Sequence, residues 1–183
     1  MKIKARRNSK RVIVELEKPD RTIIETNLGA KHPLFRLKKI LVPVDFSDCS
    51  KKALRYAIPF AREFGASIIL LTVVQIPYHG NDFEGFSLPL LETELRNGAI
   101  KQMEKLVAEE VPIDVTRETV VKVGRPVHEI VAVEVELDVD LIVVSTHGHT
   151  GLKHMLLGST AENVVRHAKC PVLVVREQEH EFV

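Results

Sequence analysis

From Leu37 onward, five short runs of aliphatic and β-branched residues alternate with helix-like stretches, which predicts an α/β fold on an open, doubly wound, five-stranded parallel sheet. Three observations carry this. The runs, such as Ser67-Ile-Ile-Leu-Leu-Thr-Val-Val74, are apolar nearly throughout, as suits strands covered on both faces. Capping or breaking residues stand at the ends of the stretches between them. The connections are short, so the first β-α-β unit closes within about 40 residues.

Lys38-Lys-Ile-Leu-Val-Pro-Val44 reads as the first strand and ends at Asp45-Phe46-Ser47. Ser47 or Asp48 can cap the next helix, which runs to Glu63 with Ala53, Leu54, Ala57, Ile58 and Ala61 on one face, and Gly65 ends it. Ser67 to Val74 is the second strand. Pro77 to Pro89 holds Gly80, Asn81 and Gly85 and reads as a long loop. From Leu88 to Val111, Leu88, Leu91, Leu95, Ala99, Met103 and Leu106 recur at spacings of three and four, which predicts a helix with one apolar stripe. A third strand follows over Val115 to Val123 and is stopped by Gly124.

Val131-Ala-Val-Glu-Val-Glu-Leu-Asp-Val-Asp140 alternates like a strand, yet Gly124-Arg-Pro126 places proline where a helix begins. Leu141 to Val144 is the fourth strand, broken by Gly148 and Gly151. Ser159 or Thr160 can cap a helix from Ala161 to Ala168, with Glu162 in its positive first turn. Val172-Leu-Val-Val-Arg176 is the last strand, after Pro171.

The chain has 183 residues, 45% of them hydrophobic, with a net charge of +1. That suits one ordinary globular domain and an appendage. No run of about 18 apolar residues suggests a membrane span, and the basic start lacks the apolar core of a signal peptide, so the cytoplasm is the default. Cys49 and Cys170 alone exclude a disulfide framework and a cysteine-built metal site. Cys49 lies in a first helical turn, where the dipole can lower a thiol pKa; an idle, buried thiol is the favoured reading.

Residues 1–36 carry ten Lys or Arg against four Asp or Glu, +6, which leaves −5 for the other 147. A strand over Arg11 to Glu17 and a second around Thr22 to Glu25 would make a hairpin about Pro19-Asp20. The chain thus divides into a basic N-terminal extension, 1–36, and a domain, 37–183. A basic tail can serve nucleic acid or anionic lipid, but no aromatic stacking series accompanies this one. A solvated or edge-docked appendage is preferred.

The stretch Leu141-Ile-Val-Val-Ser145-Thr-His-Gly148 to Gly158-Ser159-Thr160 is strand, loop and helix start, which together form a cradle for an anion, phosphate above all. Such loops are often Gly-rich for turn geometry alone. The segment resembles the ATP loop of the universal stress protein family: Gly, two residues, Gly, nine residues, then Gly with Ser or Thr. Gly148, the nine residues His149 to Leu157, and Gly158-Ser159 fit it; the first position holds Ser145. If that position needs positive φ, serine costs about 1 kcal/mol there, and its hydroxyl can donate to a phosphate or sugar oxygen.

The resemblance covers roughly Leu37 to Arg176 and includes Ile40-Leu-Val-Pro-Val-Asp45-Phe-Ser47 and Leu70-Leu-Thr-Val-Val74. It implies strand order 3-2-1-4-5, a helix over about Val127 to Leu137, and a homodimer through the C-terminal strand. By position it puts Pro43, Val44 and Asp45 at the base and ribose, the Val73 backbone at adenine, and Ser145, Gly148, Gly158, Ser159 and Thr160 at the phosphates. In open sheets of this kind ligands sit where the winding reverses, here between the first and fourth strands. The implied ligand is ATP, with or without Mg2+. Asp45 can alternatively be a helix-capping aspartate.

His147, His149 and His154 lack the spacing of a zinc site and read as loop or surface residues, with His149 or Lys153 near phosphate. Thr146-His-Gly-His149 matches a nucleotidylyltransferase signature but follows the fourth strand instead of the first, a coincidence. No nucleophile elbow, Walker lysine or base for water is present. The expected function is a nucleotide-binding stress-response module with slow ATP hydrolysis at most, an enzymatic role being disfavoured, and with an unknown protein partner. The alternatives are a nucleotide-independent dimeric interaction protein and, behind it, an adenylyltransferase-type enzyme.

Overall fold

The computed structural model describes residues 2–3, 14–15, 36–76, 88–146, 157–178 and 180. The chain forms two compact units, Met1–Arg36 and Leu37–Val183. In the first, β1 (Lys2–Ile3) pairs antiparallel with β2 (Val14–Glu15), Ile3 opposite Val14. β2 falls inside the strand expected over 11–17, but its partner is the chain start; the expected partner at 22–25 and the turn at 19–20 lie outside the described residues.

The second unit runs β3 (Lys39–Pro43), α1 (Asp48–Phe64), β4 (Ser67–Val74), α2 (Leu88–Glu110), β5 (Arg117–Val123), α3 (Pro126–Glu136), β6 (Leu141–Ser145), α4 (Ser159–His167) and β7 (Val172–Val175). Its five strands are all parallel, in the order β5-β4-β3-β6-β7. Counted from β3, this is 3-2-1-4-5.

Strand periodicity divides the core. Ile40, Val42, Ile68, Leu70, Leu141 and Val143 pack with Leu54, Ala57 and Ala61 of α1 and Met103 and Leu106 of α2. Leu41, Ile69, Leu71, Ile142 and Val144 point the other way, onto Ile130 and Val133 of α3 and Ala161 and Val164 of α4. Both faces of β3, β4 and β6 are therefore buried, which is why their sequences carry no polar alternation.

Local chemistry sets the boundaries. Ser47 is the N-cap of α1, its Oγ accepting the Ser50 N–H at 3.2 Å, and Gly65 closes the helix in the left-handed region at φ 66°. Pro126 opens α3, so the alternating stretch from Val131 is helical to Glu136. The valines that would line one strand face instead divide between a buried Val133 and a half-exposed Val135. In α2, Ala99, Met103 and Leu106 of the expected stripe are buried, whereas Leu95 is exposed. The cause is length: the 23-residue helix is about 34 Å long, whereas the seven residues of β5 span about 23 Å, so the helix outruns its strand. The loop expected over 77–89 falls largely outside the described residues.

At the N-terminal end of the sheet, Asp140 Oδ2 accepts the backbone N–H groups of Lys38 and Lys39 at 2.8 and 2.9 Å, and Lys39 Nζ donates to Leu137 O at 2.7 Å. β3 and β6 are thus fastened at one end. Their ladder pairs Ile40 with Leu141 and Leu41 with Ile142 and stops there, ahead of the C-terminal ends of both strands.

Candidate functional site

β3 leads through α1 to β4 on one side, and β6 leads through α4 to β7 on the other, so the winding reverses between β3 and β6. Beyond their carboxyl ends lies a cavity of about 320 Å³. It is lined by Pro43 at the end of β3 and Val44 and Asp45 after it, Val73 and Gln75 at the end of β4, Ser145 and Thr146 at the end of β6, and Gly158, Ser159 and Thr160 at the start of α4. Ser50 of α1 and Pro126 of α3 also contribute, so three helices reach the cavity with their amino-terminal turns.

Eight of the nine residues expected from the sequence, all but Gly148, are brought to this one cavity from four separate segments. Gly148 lies outside the described residues, as do His147, His149, His154 and Lys153. Gln75, Ser50, Thr146 and Pro126 were not among the expected set. Gln75 had a readable signal: it follows Val73 by two residues, the repeat that returns a side chain to the same side of an extended segment.

The start of α4 differs from expectation. Its N-cap is Gly158, with no side-chain hydrogen bond, in place of Ser159 or Thr160. The first bond of the helix runs from Glu162 N–H to Gly158 O at 2.9 Å. The N–H groups of Ser159, Thr160 and Ala161 precede it and are the donors that a helix leaves for an outside acceptor. Together with the helix dipole they make this wall attractive to oxyanions.

Ser145 also differs. It is the last residue of β6, opposite Val175, and its φ is not positive. The strain anticipated for serine at this position does not arise. The left-handed residue beside the cavity-lining Asp45 is Phe46, at φ 67°, between Asp45 and Ser47. That turn is held by Asp45 Oδ1, which accepts from Ser47 N–H at 3.1 Å and Ser47 Oγ at 2.5 Å. Asp45 therefore braces the capping residue and also lines the cavity.

Thr146 ties the far wall together. It is buried, its N–H donates to Val175 O at 2.9 Å, and its carbonyl accepts the Gly158 N–H at 2.7 Å. The end of β6 and the start of α4 are fixed to each other whatever the eleven residues between 146 and 158 do.

Among the described residues no cluster of His, Cys, Asp or Glu has the arrangement of a metal site. Burial, with the carboxylates of Glu177, Asp45 and Asp48 nearby, raises the Cys49 pKa, against the lowering that a helix start alone would give. Cys49 is no activated thiol. No helix among the described residues is long and apolar enough to cross a membrane.

A donor-lined wall at α4 thus faces a carboxylate and an apolar strand end across one crevice, an arrangement suited to a ligand with an anionic end and a flat polar end. The family model of the universal stress protein family matches residues 36–176. Universal stress protein MJ0531 of Methanocaldococcus jannaschii is 40% identical over 147 residues, covering 79% of this chain and 85% of the relative. The solved structure of MJ0577, a protein whose biochemical function was assigned from its structure, superposes with a TM-score of 0.66 at 34% identity, covering 80% of this chain and all of that one. A universal stress protein solved in complex with cAMP superposes with a TM-score of 0.53 at 25% identity, covering 77% of this chain and 98% of its own. With its sheet order, its crevice and these matches, this chain belongs to the universal stress protein family.

Proposed function

We propose that the protein binds an adenine nucleotide, ATP, in the crevice between β3 and β6, and acts as a cytoplasmic regulatory or sensing module of the stress response that hydrolyses ATP slowly at most. The observation that carries this is the meeting of Asp45 and the Gly158-Ser159-Thr160 helix start in one cavity at the point where the winding reverses. The family relative solved in complex with cAMP supports an adenine nucleotide as the ligand.

In this reading Pro43, Val44 and Asp45 contact base and ribose, and the Val73 backbone meets adenine. Ser145, Gly148, Gly158, Ser159 and Thr160 take the phosphates, with Mg2+ as their counter-ion. The division follows charge: a carboxylate repels a polyphosphate and belongs beside sugar hydroxyls, whereas uncapped N–H groups attract it. The described cavity lining supports slow turnover in that it holds no lysine, arginine or histidine to stabilise a transferring phosphoryl group. The domain 37–183 carries this function, and residues 1–36 are an extension to it.

Mass spectrometry of ligand released from the purified protein, followed by calorimetric titration with ATP and GTP, tests the reading. ATP or AMP in the release, or ATP binding preferred over GTP, supports it. An empty protein that takes up neither nucleotide is a nucleotide-independent interaction protein, and release of pyrophosphate with an acceptor marks an adenylyltransferase.

A further inference from the structure

α3 and α4 lie side by side on one face of the sheet, and the surface between them is a groove of about 630 Å³. Its floor is a ridge along α3. Val127, Val131 and Val135 stand four residues apart, so their side chains form one row about 12 Å long. Val135 is 52% exposed, a large apolar side chain left open to solvent.

The rim is basic. Arg125 stands at one end, Lys169 at the other, and His128 and His167 line the groove with them; no carboxylate does. All four are exposed, and none has an ion-pair partner among the described residues. His167 uses Nδ1 on Asn163 O at 2.7 Å, which leaves Nε2 for a second partner. Of the carboxylates nearby, Glu136 pairs with Lys122, Glu162 with Arg166 and Glu134 with the backbone of Lys169 and Cys170, while Glu129, one turn along α3 from Arg125, packs against Gly124 and does not line the groove.

From the straight apolar ridge and a rim that sets Arg125 and Lys169 around it with no carboxylate in the lining, we infer that this groove docks an acidic amphipathic helix of a partner protein. Two or three turns of helix, with aliphatic residues on one face, would seat on the ridge. Glu or Asp flanking that face would reach Arg125, Lys169 and the two histidines. Nucleic acid fits less well, because the valine floor offers nothing to a phosphate backbone. The inference does not depend on nucleotide binding in the crevice.

The test uses the full chain, without nucleotide, and a fluorescein-labelled synthetic helix with Leu along one face and Glu beside it. Fluorescence anisotropy is expected to show binding on the order of micromolar, with the Lys-for-Glu peptide and a leucine-free polyglutamate both weaker by about tenfold or more. Val131→Glu and the more exposed Val135→Glu should each abolish binding while circular dichroism melts remain cooperative. Arg125→Glu with Lys169→Glu should reverse the preference toward the Lys peptide. Absence of binding at millimolar peptide, equal binding of polyglutamate, or unchanged affinity in both valine variants would overturn the proposal. So would a fall in oligomeric mass of Val135→Glu, which would show a second copy of this chain to be the occupant.

Discussion

Glu134 Oε1 accepts the backbone N–H of Cys170 at 2.6 Å and that of Lys169 at 2.7 Å, reaching across 36 and 35 positions from α3 to the turn between α4 and β7. The side chain is buried, and Oε2 has no hydrogen-bond partner in the described structure. One oxygen therefore satisfies two donors that the turn cannot pair within itself. Glu134→Leu leaves both unpaired and is expected to destabilise the protein by about 3 kcal/mol. Glu134→Gln keeps an acceptor and should cost about 1 kcal/mol. Urea unfolding distinguishes them, and a loss in the Leu variant no larger than in the Gln variant would refute the role.

The Cys170 thiol has its pKa pushed from 9.0 to about 12, by burial first and by Glu134 second. Because the folded value lies above the unfolded one, the protonated thiol favours the fold below pH 9, and that contribution is lost as the pH climbs toward 12. The stability difference between wild type and Cys170→Ala should accordingly shrink over this window. Alkylation of native protein by iodoacetamide at pH 8 should be slow at Cys170 and rapid only after unfolding. Fast native labelling would contradict the assignment.

Gly158 has φ −70° and ψ 152°, a conformation open to any residue. Gly158→Val should therefore fold, yet abolish ATP binding by placing a side chain before the first N–H groups of α4. Asp45→Ala should instead weaken binding or relax the preference for ATP over GTP, and lower stability by about 1 kcal/mol because Ser47 loses its brace. Calorimetry reads both. Wild-type affinity in folded Gly158→Val rejects the phosphate wall, and unchanged affinity and selectivity in Asp45→Ala reduce Asp45 to a brace.

Ser145→Gly is expected to change ATP affinity by less than about tenfold, or about 1.4 kcal/mol. The reason is geometric, since the serine already has an ordinary strand φ and the substitution relieves no strain. If wild type fails to bind and the glycine variant binds, the loop of this chain has lost its ligand.

β7 is an edge strand. Pro171 O and Val175 O accept bonds from β6, so by alternation Val172 and Val174 turn their backbone groups outward. A homodimer through this edge is expected, and Val174→Pro, which removes an outward donor without touching the β6 ladder, should give a monomer. Sedimentation equilibrium decides; a monomeric wild type at micromolar concentration would exclude the dimer.

The sequence carried most of the fold because its signals were local. Ser67 to Val74 was bounded by Gly65 on one side and by Gln75 and the nearby Pro77 on the other, and the strand has those limits. α3 was ambiguous by alternation, and only the Gly124-Arg-Pro126 start together with the family resemblance favoured the helix that forms. The crevice was legible because two strand ends and a glycine spacing mark it. Glu134 was not, since its partners are main-chain groups far along the chain and a buried carboxylate breaks the apolar pattern that identifies a core face. The exposure of Leu95 was equally hidden, because it depends on the length of a neighbouring strand and not on the helix itself.

The hydrogen bond from Gly158 N–H to Thr146 O turns the intervening eleven residues into a closed ring. The entropy of ring closure grows only with the logarithm of ring size, and doubling it costs about 0.6 kcal/mol. An insertion engineered into this segment should thus cost little thermodynamically, while the Thr146–Gly158 bond still joins the two walls. The chemistry at the rim of the crevice is free to diverge on a foundation that does not move.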